Sequence, residues 1–545
     1  MAESTAVPPR AATTQPADTQ AGIARAAGIN ALGNVGSRLL GLLRESVIAG
    51  TFGVSGGTAA FDAVSSVPKM VYELLIGGML SAALVPVLSE YATEERREEL
   101  DGILSTLLSL ASVVLIAVVV VLELGAPWVA PLLLGGFDVE LLRTATMLVR
   151  LIVPAIIIYG ISGILQAYHY ARKRFVYPSL GAPAHNLGVI VAVVLLAGKL
   201  DLASLSVGIV AAATVQLLVQ LPGLRGTHLT LQWNWRHPVV RRILQLYAPV
   251  VLSIVIQNVG IIIDRNLASR TVAEAITWMQ KATFLIQLPL GLVSMAISLA
   301  VLPTLSQIDA RVDLERFKRT FCQGLRLVLV IILPAGAGLA ALGLPLIRVI
   351  MERGAFTPAD THETWLALCY YLPGLPFAAI DLPLIFAFYA QKDTITPVVV
   401  GVAAVAIYLV VGPMLAFLMG WGYLGLVAAN SVQLTSHAVI MLWAFRRRFE
   451  GLRGYGVLTT TAKAALASAV AGALAYGGYA VAAQRIPGRG IITDAVGLLV
   501  GAGLAVLAYA PAAHLLRMEE LGLVVDVVRR RLGAAPPRPE RGTGT

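Results

Sequence analysis

The sequence is poor in charge, in cysteine and in catalytic motifs. Only 13% of its 545 residues are charged, whereas soluble domains carry about 25%. The two cysteines, Cys322 and Cys369, provide neither a disulfide framework nor the ligand spacing of a metal site. The GxxxxGK[ST], GxSxG, HExxH and CxxC patterns do not occur, which argues against ATP hydrolysis and the corresponding enzyme classes. We therefore expect a protein that is not an enzyme and has no cofactor or metal.

Apolar residues are abundant instead. They make up 57% of the chain, with a mean hydropathy of +0.79. A helix needs about 20 apolar residues to cross a bilayer. By that rule we predict an all-α polytopic membrane protein of about fourteen transmembrane helices. Their approximate limits are 26–50, 59–91, 103–125, 141–171, 178–198, 203–223, 239–269, 273–306, 318–343, 363–390, 396–419, 423–445, 457–483 and 490–516.

Positive charges predict the orientation of these segments. Basic clusters such as 172–174 and 446–448 follow the even-numbered segments, whereas the loops after odd-numbered segments contain few Lys or Arg. Because cytoplasmic loops carry the excess of Lys and Arg, both termini are expected in the cytoplasm. The net charge of +10 is then a topology signal, and no nucleic-acid partner is expected.

The two halves of the chain resemble each other. The motif LVPVLSEY (Leu84–Tyr91) recurs as VLPTLSQI (Val301–Ile308), and YARKRFVYP (Tyr170–Pro178) recurs as YAQKDTITP (Tyr389–Pro397). The separations, 301 − 84 = 217 and 389 − 170 = 219, predict two homologous lobes of six helices in the same orientation. Transporters built this way bind substrate between their lobes. The predicted divisions are a disordered tail 1–22, an N-lobe 23–224, a C-lobe 225–450, two added helices 451–516 and a tail 517–545.

Ionisable residues inside apolar segments are costly and mark cavities or partner contacts. The first segment carries Arg38, Arg44 and Glu45 within the stretch Gly36–Gly53. Arg38 and Arg44 are six residues apart and point about 120° away from each other, so only a wide cavity can hold both. Alternatively, Arg44 lies at the outer end of its helix and extends to the membrane interface.

Further segments contain charge, among them the fourth with Arg150, the eighth with Lys281 and the tenth with Asp381. In the second, Asp62, Lys69 and Glu73 share one helix face. They line a cavity, or Lys69 and Glu73 form a structural ion pair. In the seventh, Asp264 has the oxygen ligands that a coupling Na⁺ would need, or it is neutralised by the adjacent Arg265.

Three stretches of the sequence resemble a known family: SRLLGLLRESVIAGTFG, AFDAVSSVPKMVYELLIGGMLSAALVPVLSEY and WMQKATFLIQLPLGLVSMAISLAVLPTLS. They are similar to the MurJ (MviN) lipid II flippases of the multidrug/oligosaccharidyl-lipid/polysaccharide exporter superfamily. The resemblance extends over nearly the whole chain. It implies that an undecaprenyl-pyrophosphate-linked precursor moves from the inner to the outer leaflet through a cationic cavity. It also implies a groove for the lipid tail in the two added helices, contact with membrane lipids, and the cell-wall synthesis machinery as a further partner.

The resemblance also implies site residues. Arg38, Arg44 and Asp62 match functional residues of the family. Asp264 falls where some members place a sodium ligand, but the eleventh segment, Val399–Met414, lacks the expected acidic partner. Na⁺, H⁺ and the membrane potential therefore stay open as sources of energy. The predicted substrate-binding residues are Arg38, Arg44, Asp62, Lys69, Glu73 and Lys281.

Two arginines of the family are missing here. Tyr72 or Glu73 and Phe284 occupy their places, while Lys69 and Lys281 lie about one helical turn earlier. We predict that these lysines restore the charge of the cavity. The missing arginines leave open a flippase for another polyprenyl-linked oligosaccharide. A cation-coupled small-molecule exporter and a non-transporting scaffold are further alternatives, although the basic first segment argues against the exporter.

Overall fold

The computed structural model describes residues 17–485, 490–518 and 520. These residues form helices joined by short loops and contain no β-strand. We number fourteen successive helical segments, of which α2 is a series of short helices. They are α1 (Ala17–Phe52), α2 (56–89), α3 (Arg97–Leu133), α4 (Val139–Ala171), α5 (Val176–Leu200), α6 (Ala203–Leu224), α7 (Pro238–Ser269), α8 (Ala275–Ser306), α9 (Leu314–Met351), α10 (Pro358–Ala390), α11 (Ile395–Leu418), α12 (Tyr423–Phe449), α13 (Val457–Arg485) and α14 (Ile491–Leu515).

The polytopic helical fold predicted from the sequence is confirmed. Eleven of these helices are long and apolar enough to cross a membrane. The other three, α1, α2 and α7, are the charged first, second and seventh segments. Helix α1 begins at Ala17, so 17–22 are helical and not part of a disordered tail. The predicted tails at 1–16 and 521–545 lie outside the described residues.

The helices of the two halves contact one another in the same pattern. In the first half, α1 contacts α5, α5 contacts α6, α4 contacts α6, α3 contacts α4, and α2 contacts α4. The same contacts recur six helices later, between α7 and α11, α11 and α12, α10 and α12, α9 and α10, and α8 and α10. A repeated sequence has therefore produced a repeated helix arrangement.

The repeat extends to a local distortion of the backbone. Helix α2 contains a π-helical turn at Glu73–Gly77, and α8 contains one at Leu290–Ser294. Their separation, 290 − 73 = 217, equals that of the repeated motifs. A π-helical turn is rare and is often found at functional sites. Both distorted helices lie where the halves meet, because α2 contacts α7 and α8.

The added helices belong to the second half by contact. Helices α13 and α14 pack on each other and on α9. Arg348 of α9 donates to Asp494 of α14 over 3.3 Å, and Tyr509 of α14 donates to the carbonyl of Val330 over 2.6 Å. Their other faces are apolar and exposed, as at Leu507, which suits contact with lipid.

Candidate substrate-binding cavity

A cavity of about 1100 Å³ lies between the two halves. It is lined by α1, α2, α4, α5 and α6 of the first half and by α7, α8, α10 and α12 of the second. Its lining includes four cationic side chains and four carboxylates, so the formal charges of these eight side chains balance. The charged lining residues are Arg44, Glu45, Asp62, Lys69, Glu73, Asp264, Arg265 and Lys281.

One carboxylate binds two of the cations. Glu45 accepts from Arg44 Nη2 and from Lys281 Nζ, each over 2.6 Å. Lys281 is only 2% exposed, and Glu45 is 6% exposed. Arg44 Nη1 also donates to Asn186 Oδ1 over 3.0 Å. Arg44 is thus held in the cavity wall instead of extending to the membrane interface, and the charge of Lys281 is neutralised by Glu45.

Asp62 is bound by the other half of the protein. Gln280 donates to Asp62 Oδ1 over 3.0 Å, and Arg265 Nη2 donates to Gln280 Oε1 over 2.9 Å. Asp62 and Gln280 are 218 residues apart, which matches the spacing of the repeat. Residues related by a two-fold arrangement meet when they lie near its axis. The centre of the interface between the halves therefore passes close to Asp62.

Lys69 and Glu73 both face the cavity and are both exposed. No ion pair or hydrogen bond of either side chain is present among the described residues. The alternative of a structural ion pair between them is therefore wrong. Lys69 supplies the cavity with an ammonium group whose three donors are free.

Asp264 accepts a hydrogen bond from the Tyr408 hydroxyl of α11. The neighbouring Arg265 points to Gln280 instead, so the two adjacent charges do not pair. In α11, the helix in which an acidic partner was expected, Tyr408 supplies Asp264 with a hydrogen-bond donor.

Arg38 is not in the lining of the cavity. Its Nη1 donates over 3.4 Å to the carbonyl of Gln287, which does line it. The guanidinium lies against Gly291 of α8, where any Cβ would collide with it. Arg38 therefore lies at the interface of α1 and α8, beside the cavity and not in its wall.

The arginines keep unused donors. The Nε atoms of Arg38, Arg44 and Arg265 are buried and have no hydrogen-bond partner in the described structure. Buried polar groups are normally hydrogen-bonded, so these three atoms are exceptions; because they are buried, they are not exposed to the cavity. Three of the four carboxylates already accept from Arg, Lys, Gln or Tyr donors. Among the charged lining side chains of the described structure, Lys69 and Glu73 keep all of their donors and acceptors free.

Several polar residues of the site were not identified from the sequence. Asn186, Gln280 and Tyr408 each bind a charged residue of the cavity, and Tyr159 lies 2.7 Å from His185 Nε2 in its wall. All lie in apolar segments, where a polar side chain is itself a signal. Because the predicted site was limited to charged residues, these uncharged polar residues were missed.

The halves are joined at both ends of the cavity. Where α1 ends, the amide of Ala355 donates to the carbonyl of Gly50 over 2.9 Å. This approach requires glycine at Gly53 and Gly354, since their φ angles are +61° and +56° and a Cβ at either would collide with the facing backbone. We call this the α1–α2 end.

The opposite end, where α1 begins and α14 finishes, is the tail end. There Arg242 of α7 donates to both carboxylate oxygens of Glu90, over 2.6 and 2.8 Å. Both side chains are about half exposed, 50% and 47%. Exposed ion pairs contribute little to stability. The tail end is also closed by Val239 and Ile243 of α7, which are buried in one apolar cluster with residues of α2 and α3.

Proteins of a known family are similar to this chain in sequence. The family model of lipid II flippase MurJ matches residues 48–489. A probable lipid II flippase MurJ of Synechocystis sp. is 29% identical over 523 residues, covering 92% of this chain and 96% of that protein. One of Vibrio cholerae is 28% identical over 441 residues, covering 78% and 82%.

Solved structures agree in fold. Lipid II flippase MurJ in an inward closed conformation matches with a TM-score of 0.74 at 21% identity, covering 89% of this chain and 98% of that one. An inward-facing multidrug resistance MATE family transporter of the MOP superfamily matches with a TM-score of 0.68 at 11% identity, covering 76% and 95%. With the family model matching most of its length, this chain belongs to the lipid II flippase MurJ family.

Proposed function

We propose that this protein moves lipid II from the inner to the outer leaflet of the bacterial cytoplasmic membrane and is a transporter, not an enzyme. The observation that carries the proposal is the cavity between the two halves, in which the ammonium group of Lys69 is exposed and has no partner among the described residues. The substrate named for the relatives has a pyrophosphate, which needs such donors. Membership of the family supports the same cargo.

The pyrophosphate would bind at the free donors of the wall. Lys69 offers an unpartnered ammonium group that is exposed in the cavity, and Arg44 and Arg265 add positive charge to the same lining. Charge-assisted hydrogen bonds to phosphate are roughly twice as strong as neutral ones. The carboxylate of Glu45 does not oppose binding strongly, since two cations already neutralise it. Lys281 would then act through Glu45 and not by touching the substrate.

Transport would proceed by alternating access of an N-lobe, 23–224, and a C-lobe, 225–450. The repeated helix contacts support this division, and the charge pattern of the loops supports a cytoplasmic tail end with both termini. The cavity would open towards the cytoplasm, where the precursor enters, when the exposed pair of Arg242 and Glu90 breaks and the apolar contacts of α7 at the tail end separate.

The lipid tail would remain outside the cavity, along 451–516. Helices α13 and α14 present exposed apolar side chains, among them Leu499 and Leu507. Their packing on α9 places this surface next to the second half. Contact with the cell-wall synthesis machinery stays a prediction, as does coupling to an ion at Asp264.

Complementation tests the proposal. A strain depleted of its own flippase would receive this protein or its Lys69→Gln, Arg44→Gln or Lys199→Gln variant, with lipid II measured at the outer leaflet. Lys199 is an exposed lysine at the end of α5, away from the cavity, and serves as the matched control. We expect rescue by the protein and by the control variant, and loss of rescue with the cavity variants. Full rescue by well-expressed cavity variants would contradict the proposal.

A second cargo is favoured by one observation. Tyr72 and Phe284 line the cavity at the places where the family resemblance implies arginine. A flippase for another polyprenyl-linked oligosaccharide would tolerate that change. Absence of lipid II at the outer leaflet, together with export of a different lipid-linked glycan by the unaltered protein, would favour this second cargo.

A further inference from the structure

A second cavity lies on the outside of the first half. It is a groove of about 720 Å³ between α3 and α4 and shares no lining residue with the central cavity. Its apolar walls include Pro127 and Pro131 of α3 and Leu142 and Leu151 of α4. Large apolar side chains are exposed beside it, as at Trp128, which is 75% exposed. In a membrane-spanning region, such a surface is in contact with lipid.

Two arginines face this apolar groove. Arg143 and Arg150 are seven residues apart, on the same face of α4, and both are exposed. Their separation along the axis is about 10 Å at 1.5 Å per residue. Arg150 lies eleven residues after the first residue of α4, Val139, and thus about 16 Å along the helix. It is well inside the apolar span.

Neither guanidinium has a partner of its own. No ion pair, hydrogen bond or ring contact of Arg143 or Arg150 occurs among the described residues. Neither of the nearest carboxylates along the sequence pairs with these arginines. Asp138 accepts from the amide of Leu141 at the start of α4, and Glu123 of α3 forms no ion pair with either arginine. Charge inside a membrane normally pairs or faces water. No described residue of the chain therefore supplies the balancing anion.

We propose that this groove binds an anionic glycerophospholipid, with its phosphate at Arg143 and Arg150 and its acyl chains along the apolar walls. Side chains on a helix tilt towards its N-terminus, so both guanidinium groups extend towards the same membrane interface. Long basic side chains reach the head-group level in this way while their stems stay in apolar surroundings. Arginine also suits phosphate because it donates two parallel hydrogen bonds.

A membrane lipid fits both the charge and the shape of the groove. A soluble anion would leave the walls around Pro127 and Leu151 exposed, and a zwitterionic lipid would leave two positive charges uncompensated. The site is separate from the transport route, so it does not depend on the cargo that is transported.

Binding can be measured on the delipidated full-length protein by native mass spectrometry. Phosphatidylglycerol and phosphatidylcholine with identical acyl chains would be added in parallel, and glycerol phosphate would test the head group without chains. The variants are Arg143→Gln with Arg150→Gln, and Arg143→Lys with Arg150→Lys. The control changes two exposed arginines at the tail end, Arg311 and Arg319, to Gln.

We expect phosphatidylglycerol to bind at least about tenfold more tightly than phosphatidylcholine, which corresponds to 1.4 kcal/mol. The Gln pair should lose that preference, the Lys pair should keep part of it, and the control should keep all of it. Equal affinity for both lipids, an unchanged preference in the Gln pair, or equally tight binding of glycerol phosphate would each overturn the proposal. The thermal stability of each variant, measured without lipid, would show whether the Gln pair is folded; if it is not, the comparison of the two lipids on the unaltered protein decides.

Discussion

The buried pair of Glu45 and Lys281 predicts an unequal response to removal of its two members. Glu45→Gln leaves Lys281, which is 2% exposed, without its anion, and leaves Arg44 beside it as a second cation. Removing one partner of a buried ion pair costs about 3–5 kcal/mol. We expect this variant to lose that amount of unfolding free energy.

Lys281→Met is expected to cost less. It removes the buried ammonium together with its desolvation penalty, while Glu45 keeps Arg44 at 2.6 Å. The loss is then close to one hydrogen bond to a charged group, about 1.5 kcal/mol. Combining both substitutions should recover most of the loss caused by Glu45→Gln, because no unpaired buried charge remains at these two positions.

The assay is unfolding in mixed micelles of increasing SDS content, followed by tryptophan fluorescence for the protein and its three variants. The size of the coupling between the two sites follows from the double-mutant cycle. If Lys281→Met is as destabilising as Glu45→Gln, the reasoning fails, since Glu45 would then depend on Lys281 alone. Lys199→Gln, exposed and away from the pair, should leave the curve unchanged.

Three other predictions follow from single contacts. Gly53→Ala should lower the unfolding free energy by at least about 1–2 kcal/mol because of its left-handed backbone. Cross-linking across the α1–α2 end tests this, and cross-linking as efficient as in the unaltered protein would contradict it. Tyr408→Phe should cost about 1–3 kcal/mol, since Asp264 loses its donor; SDS unfolding measures it, and no change would contradict it. The guanidinium of Arg242 lowers the pKa of Glu90, so the pair contributes above the ordinary carboxyl pKa and is lost as the pH falls through the lowered value. Cross-linking at the tail end should therefore be constant between pH 7 and 5 and weaken only below about pH 4, and Glu90→Gln should remove that dependence.

The sequence alone determined the helices and their repetition. Length and hydropathy of a segment are local properties, so the positions of α3 to α6 could be read directly. The repeat could be read because homologous motifs keep their spacing, and the π-helical turns at Glu73–Gly77 and Leu290–Ser294 follow that spacing. Charge inside an apolar segment similarly indicated Arg44 and Lys69 as cavity residues, since an ionisable side chain at membrane depth normally faces a cavity or a partner.

Tertiary structure decided how those charges are balanced. Lys281 meets Glu45 across 236 residues, and Asp62 meets Gln280 across 218. Neither pairing follows from helical periodicity, which fixes the face of a residue on its own helix but not the helix that lies opposite. The same limit explains why Arg38 was expected in the cavity and lies beside it. Which cations stay free for an anion depends on these contacts between helices, and the sequence does not specify them locally.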